Sequence, residues 1–322
     1  MSTKGKLRYI HLFRGIAILF IVASHIFWSN GDHPEIKHAI RLLLSNSTIF
    51  FLIISGFLFE YLSDNYEPVK YLTKKVKFIL LPYLVCSIPI IAFLLYRFPE
   101  ENTLSQITNY LISGSHLGPY WYIPVIMVFF IISPAIIYLK KFKAFQFFLI
   151  ISLLYSLLTM RPESYNVLNN LIYFFGFFHL GIVMAMHRHL LEKWFSSKKS
   201  LLFHTLAWTI TYTSLVFSIS PPYRTLQLLL LGGLLMNIAY KIRPSKAEKA
   251  LSLLADYSFG IYFIHQYVIN IFAIAAGRLG INYQNLTYSL IIFPLVIISS
   301  ILIIFFIKKA TNPLVSRYLI GS

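Results

Sequence analysis

Ten long apolar stretches, near 12–29, 38–61, 76–96, 120–139, 144–160, 168–187, 201–219, 224–241, 254–277 and 286–308, leave this chain few ways to fold. At the rise of an α-helix, each is about long enough to cross a hydrocarbon core of ~30 Å. Lipid offers peptide groups no water to bond, so only helices and closed barrels can span it. The stretches here are continuous rather than alternating, which selects helices over a barrel. Composition agrees: 57% of the residues are hydrophobic and 12% charged, with a mean hydropathy of +0.70, far from the mix of a water-soluble domain. The expected fold is all-α, a single integral membrane domain over 1–322 with about ten transmembrane helices and both termini on one side. Turn chemistry separates the stretches at Asp32–His33–Pro34, Arg161–Pro162–Glu163, Ser220–Pro221–Pro222 and Gly280–Ile281–Asn282.

The net charge of +17 would suggest nucleic acid in a soluble protein, but in a membrane protein it is read by location, and no nucleic-acid partner is expected. Of the 28 Lys and Arg residues, 21 fall on the N-terminal side of the first helix or on loops that alternate to that same side. Six fall on the other side (Lys37, Arg41, Arg97, Arg161, Arg224 and Arg278), and Arg14 sits within a helix. The lysine-rich side is therefore expected to be cytoplasmic, with the chain in the lipid bilayer of a bacterial cytoplasmic membrane. The N-terminus imitates a secretory signal, with Lys4, Lys6 and Arg8 ahead of an apolar run, but Arg14 interrupts that run and marks a retained helix. Leu104, Ile107 and Leu111, in the longest outer segment, can form a short surface helix. The single cysteine, Cys86, excludes an internal disulfide and reads as packing.

Ionisable groups are expensive inside a bilayer, so each one retained there is a candidate for function. Arg14 and His25 are eleven residues apart, close to three helical turns, which sets both on one face about 16 Å apart along the axis. A guanidinium near the lysine-rich side can hold a phosphate through paired hydrogen bonds, and an imidazole in the outer half can take a proton from a hydroxyl. The alternative is that Arg14 snorkels to headgroups and His25 satisfies a carbonyl. His265 reaches a depth similar to His25, and His179 lies mid-helix; each can orient a substrate or simply pack. Ser45, Asn46, Ser47 and Thr48 form a polar cluster near the depth of His25, able either to line a pocket or to join helices. Tyr120, Trp121 and Tyr122 read first as an interfacial aromatic belt. The run Lys70, Lys74, Lys75 and Lys77 is either an ordinary inner loop or a seat for phosphates.

Four stretches resemble one family in order. Arg14-Gly-Ile-Ala-Ile18 with His25 is similar to the first-helix signature of the acyltransferase-3 family of membrane acyltransferases. Phe51-Leu-Ile-Ile-Ser55-Gly56-Phe-Leu58, Lys74-Lys-Val-Lys-Phe-Ile-Leu-Leu-Pro82-Tyr83 and Asp256-Tyr-Ser-Phe-Gly260-Ile-Tyr262-Phe-Ile-His265 resemble its later elements. The resemblance runs from about residue 7 to 310. Many members carry a glutamate in the Trp-containing fourth-helix motif, whereas Trp121 is followed here by Tyr-Ile-Pro-Val-Ile-Met-Val-Phe-Phe. Which acid, if any, assists His25 is thus left open.

The resemblance implies transfer of an acyl group, usually acetyl from acetyl-CoA, to a hydroxyl of an exported or cell-surface glycan or glycolipid, completed by the membrane unit itself. Glycan assembly machinery would be a partner, and no metal is expected. Candidate catalytic residues are His25, Arg14 and His265. Candidates for the CoA donor are Arg14, Lys74, Lys75, Ser55 and Gly56, and for the acceptor Asn46, Trp121 and Tyr262. Ser55 and Gly56 can leave room for a pantetheine arm or let helices approach. The rival reading is a secondary transporter of a small anionic or sugar-like solute, since intramembrane Arg and His also line transport paths. Against it, no internal repeat is evident, and the only acids in the stretches, Glu60 and Asp256, lie near their ends. A third class, a non-catalytic anchor or flippase partner, would tolerate loss of Arg14 and His25.

Overall fold

A computed structural model describes residues 7–27, 34–100, 103–162, 165–217 and 223–322, and among these no strand occurs. The calls on Lys4, Lys6, Asp32, His33, Glu163 and Ser220–Pro221–Pro222 lie outside the described residues.

In chain order the helices are α1 (Arg8–Ile26), α2 (Pro34–Leu44), α3 (Thr48–Tyr61), α4 (Pro68–Lys75), α5 (Leu81–Arg97), α6 (Leu104–Ser113), α7 (Tyr122–Ile131) and α8 (Ser133–Leu139). They continue as α9 (Lys143–Leu158), α10 (Val167–Met186), α11 (Arg188–Ser196), α12 (Lys198–Phe217), α13 (Tyr223–Lys241), α14 (Lys246–Arg278), α15 (Leu286–Ala310) and α16 (Pro313–Ile320). A π-helical turn, Val76–Leu80, joins α4 to α5, and a 3-10 turn, Gly118–Trp121, leads into α7.

Ten spans are not what the helices support. Among the described residues six are long and apolar enough to cross a membrane, or eight if two bent pairs each count as one. The stretch expected to span as 120–139 is divided at Ile132 into α7 and α8, and sharp bends flank it, 70° between α6 and the 118–131 segment and 120° between α8 and α9. Pro134, at the start of α8, supplies no N–H to continue the ladder of α7. Helices α12 and α13 form where expected, but their polar residues leave them below the apolar content of those six helices. Asn237 Nδ2 donates to Ser200 Oγ at 2.5 Å, and the ring of His204 packs against Gly233. The short helix expected near Leu104–Leu111 is α6, capped by Thr103 Oγ1, which accepts from the Gln106 amide at 3.3 Å.

Small residues set the closest helix contacts, as they do where lipid gives little drive for association. A Cβ on Gly15 would collide with the Leu251 carbonyl of α14, and one on Gly56 with the Phe178 carbonyl of α10. Gly181 meets the backbone of Ile53 in the reciprocal way. Two tightly packed pairs result, α1 with α14 and α3 with α10.

The contacts also bear out the alternation of sides. At the lysine-rich end Lys140 Nζ meets Glu60 Oε2 at 2.7 Å, Arg8 Nε meets Glu248 Oε1 at 2.6 Å, and the Arg188 guanidinium lies over the Tyr61 ring at 5.3 Å. At the opposite end Tyr212 donates to the Ala39 carbonyl at 2.9 Å and Arg161 Nη1 to Asn46 Oδ1 at 3.0 Å. Helix α16, which hydropathy gives no reason to expect, packs against α5, with Tyr318 stacked on Phe78 at 5.6 Å and the Leu319 carbonyl accepting from Cys86 Sγ at 3.4 Å.

Candidate active site

Periodicity put Arg14 and His25 on one face of α1, and both do face α14. Arg14 Nη2 donates to the Ala255 carbonyl at 2.7 Å, and the His25 ring lies 5.4 Å from that of His265. The two ends of this seam differ. Arg14 sits between packed helices, with its Nε buried and unbonded. His25 opens into a cavity of about 800 Å³ at the end of the molecule away from the lysines.

That cavity is built from the ends of many elements. Ser24 and His25 come from α1, Arg41 and Leu42 from α2, and Ser45 to Thr48 from the α2–α3 break. Thr159 to Pro162 connect α9 to α10, Asn170 and Tyr173 belong to α10, Arg224 and Thr225 open α13, and Gln266 comes from α14. All four residues of the polar cluster line it, so the break they make in the second apolar stretch forms wall. Asn46 there has φ +64°, a left-handed conformation that side chains rarely adopt and that Asn tolerates better than most.

His265 stands behind His25 rather than in the cavity. It is fully buried, and its Nδ1 lies 2.9 Å from the Ile261 carbonyl. A bond to a carbonyl requires the proton on Nδ1, which leaves the Nε2 lone pair free, and Nε2 has no other partner. Its contact with His25 is ring to ring, 5.4 Å between centres.

Trp121 lines the cavity, but Tyr120, Trp121 and Tyr122 do not form an interfacial belt. All three are buried, because the polar ends of the neighbouring rings find partners inside the protein. Tyr120 donates to the Phe263 carbonyl at 3.0 Å, and Tyr262 to the Pro119 carbonyl at 2.5 Å. These two bonds tie the 118–121 turn to α14 beside His265. Tyr262 is thus buried in the scaffold and does not reach this cavity.

The candidates near the lysine-rich end are not gathered in the cavity either. Ser55 Oγ lies 3.3 Å from Tyr122 Oη, and the bare face of Gly56 is filled by the backbone of α10. Lys74 is exposed, while Lys75 turns inward over the rings of Phe130 at 4.3 Å and Tyr71 at 4.9 Å. His179 is fully buried against Phe145, 3.9 Å between ring centres, and does not reach the cavity.

Sequence reasoning missed the cavity's cations. Arg41, Arg161 and Arg224 were counted only as outer-side exceptions, yet all three line it. The Arg161 guanidinium lies over the Trp121 ring at 4.3 Å and within electrostatic reach of His25. Burial holds the Arg161 pKa below its ordinary value, and Arg224 pushes it the same way. Their rarity on a side otherwise poor in Lys and Arg was the available signal.

A polar, cationic cavity lined by His25 and His38 suits proton transfer at a bound hydroxyl. A family model for an acyltransferase domain matches residues 7–305, nearly the whole chain. No curated protein and no solved structure is significantly similar. On the family match the chain, a multi-pass membrane protein, belongs to the acyltransferase-3 family and is an acyltransferase.

Proposed function

We propose that this acyltransferase moves an acyl group, acetyl in the simplest case, from acyl-CoA on the lysine-rich side to a hydroxyl of an exported or cell-surface glycan or glycolipid in the cavity. The setting would be a bacterial cytoplasmic membrane, with glycan assembly machinery as a partner. The observation that carries the reading is the placement of His25: it lines the cavity, with a second imidazole behind it.

In this mechanism His25 accepts the proton of the acceptor hydroxyl as its oxygen attacks the thioester carbonyl carbon. The C–O bond forms, the C–S bond breaks, and the proton passes from His25 to the departing CoA thiolate. His265, its ring 5.4 Å from that of His25, would hold the orientation of that ring, a part an acid would otherwise play. Arg14 and the exposed Lys74 are the cations suited to the donor's phosphates, and the Nε of Arg14 is buried without a hydrogen-bond partner among the described residues.

The test is acetyl-CoA binding and thioester consumption by the purified protein in detergent, wild type beside His25→Ala. Binding by both with turnover confined to the wild type is expected. Equal turnover by His25→Ala would refute the assignment of the base, and no binding by either would refute the donor.

A further inference from the structure

The cavity wall holds a charge imbalance that acyl transfer to a neutral sugar does not require. Arg41, Arg161 and Arg224 converge on it from three separate segments, and among the described residues no Asp or Glu lines it. The Nε atoms of Arg161 and Arg224 are buried without a hydrogen-bond partner. Among the described residues Arg161 commits one N–H to Asn46 and a face to Trp121, and Arg224 donates to the Arg41 carbonyl at 3.4 Å. A guanidinium has five N–H donors in a rigid fork, so most of this donor capacity is unspent.

Gathering cations in a partly desolvated cavity is unfavourable unless an anion joins them. Guanidinium groups bind phosphate and carboxylate by paired hydrogen bonds, about twice as strong as neutral ones. The rest of the lining, with Asn46, Thr48, Asn170, Thr225 and Gln266 around Trp121, offers the hydroxyl, amide and aromatic contacts that suit a saccharide. We propose that the acceptor is an anionic saccharide whose phosphate or carboxylate is clamped by Arg161 and Arg224 while a neighbouring hydroxyl faces His25. The inference rests on the acyl-transfer reading above and adds the class of acceptor. The anion takes no part in the bond changes; it sets which hydroxyl meets the base. Because Arg161 and His25 line the same cavity, charge and reacting hydroxyl would belong to the same sugar or to adjacent ones.

The experiment uses the full chain in detergent with three probes: methyl glucoside, methyl glucuronide and glucose 1-phosphate. Equilibrium binding of each is measured without donor, and free-thiol release from acetyl-CoA is measured with each. The charged probes are expected to bind and react about tenfold better than the neutral one, as one charge-assisted bond would give. Arg224→Gln should collapse that preference while leaving the acetyl-CoA Kd unchanged, and Arg161→Lys, which keeps the charge but not the fork, should retain only part of it. The carboxylate and phosphate arms separate an acceptor of the uronate type from a phosphate-linked one. Equal affinity for all three probes would overturn the inference, as would a loss of acetyl-CoA affinity in the arginine variants. If no thioester is consumed with any probe, the acyl-transfer reading fails, and the binding arm still decides whether the cavity selects anions.

Discussion

The seam between α1 and α14 is closed at one end and open at the other. At the closed end Arg14 is pinned to the Ala255 carbonyl, and Gly15 lies flush on Leu251. At the open end His25 and His265 stand ring to ring beside the cavity. The same two helices thus make a packed joint and a reactive surface within three turns. Small side chains set one end, where Gly15 lets the backbones meet, and two imidazoles face each other at the other.

The largest expected effect breaks the open end. His25→Ala should lower acyl transfer by about 10²–10⁴-fold with membrane insertion intact, the usual scale of a lost general base, as thioester consumption per inserted protein will measure. Arg14→Lys tests the closed end. It keeps the charge but loses the fork, and it should weaken acetyl-CoA binding about tenfold while changing the rate at saturating donor much less, read as Kd against kcat. An unchanged Kd would reduce Arg14 to a packing role. His265→Ala should lower kcat by about tenfold with donor affinity unchanged, and His265→Gln, which restores an acceptor, should recover part of it. Equal loss in both variants would point to packing alone. The smallest effect is at the cavity wall. Asn46→Ala should cost about 1 kcal/mol of thermal stability from its left-handed backbone, and Asn46→Gly much less, although both remove the Arg161 acceptor. Equal melting temperatures would show that the side chain, rather than the backbone, matters there.

How much of this was legible in the sequence follows from how local each feature is. The shared face of Arg14 and His25 is a property of helical periodicity, and the meeting of α14 with that face was half visible in the depth matched between His25 and His265. The polar cluster at Ser45–Thr48 was visible as a cluster but not as a break, because hydropathy averages over a turn that Asn46 makes with a single φ. Helices α12 and α13 were legible as helices, but the pairing of their polar groups, Asn237 to Ser200, was not, because it joins residues far apart in sequence. The arginine cluster was visible only as three cations on a side otherwise poor in Lys and Arg, since Arg41, Arg161 and Arg224 meet through tertiary packing. Trp121 was mistaken for an interfacial anchor for the same reason: its partners, Phe174 and Arg161, are distant in sequence.

Because α1 is one unbroken helix over Arg8–Ile26, it works as a gauge with two marks. One residue inserted between Arg14 and His25 would move the second mark only ~1.5 Å but swing it by about 100°, away from α14. Seven inserted residues would restore the direction and lengthen the gauge by about 10 Å. Direction and reach are therefore separable in this protein, and a donor held at the first mark would be accepted or rejected by its length.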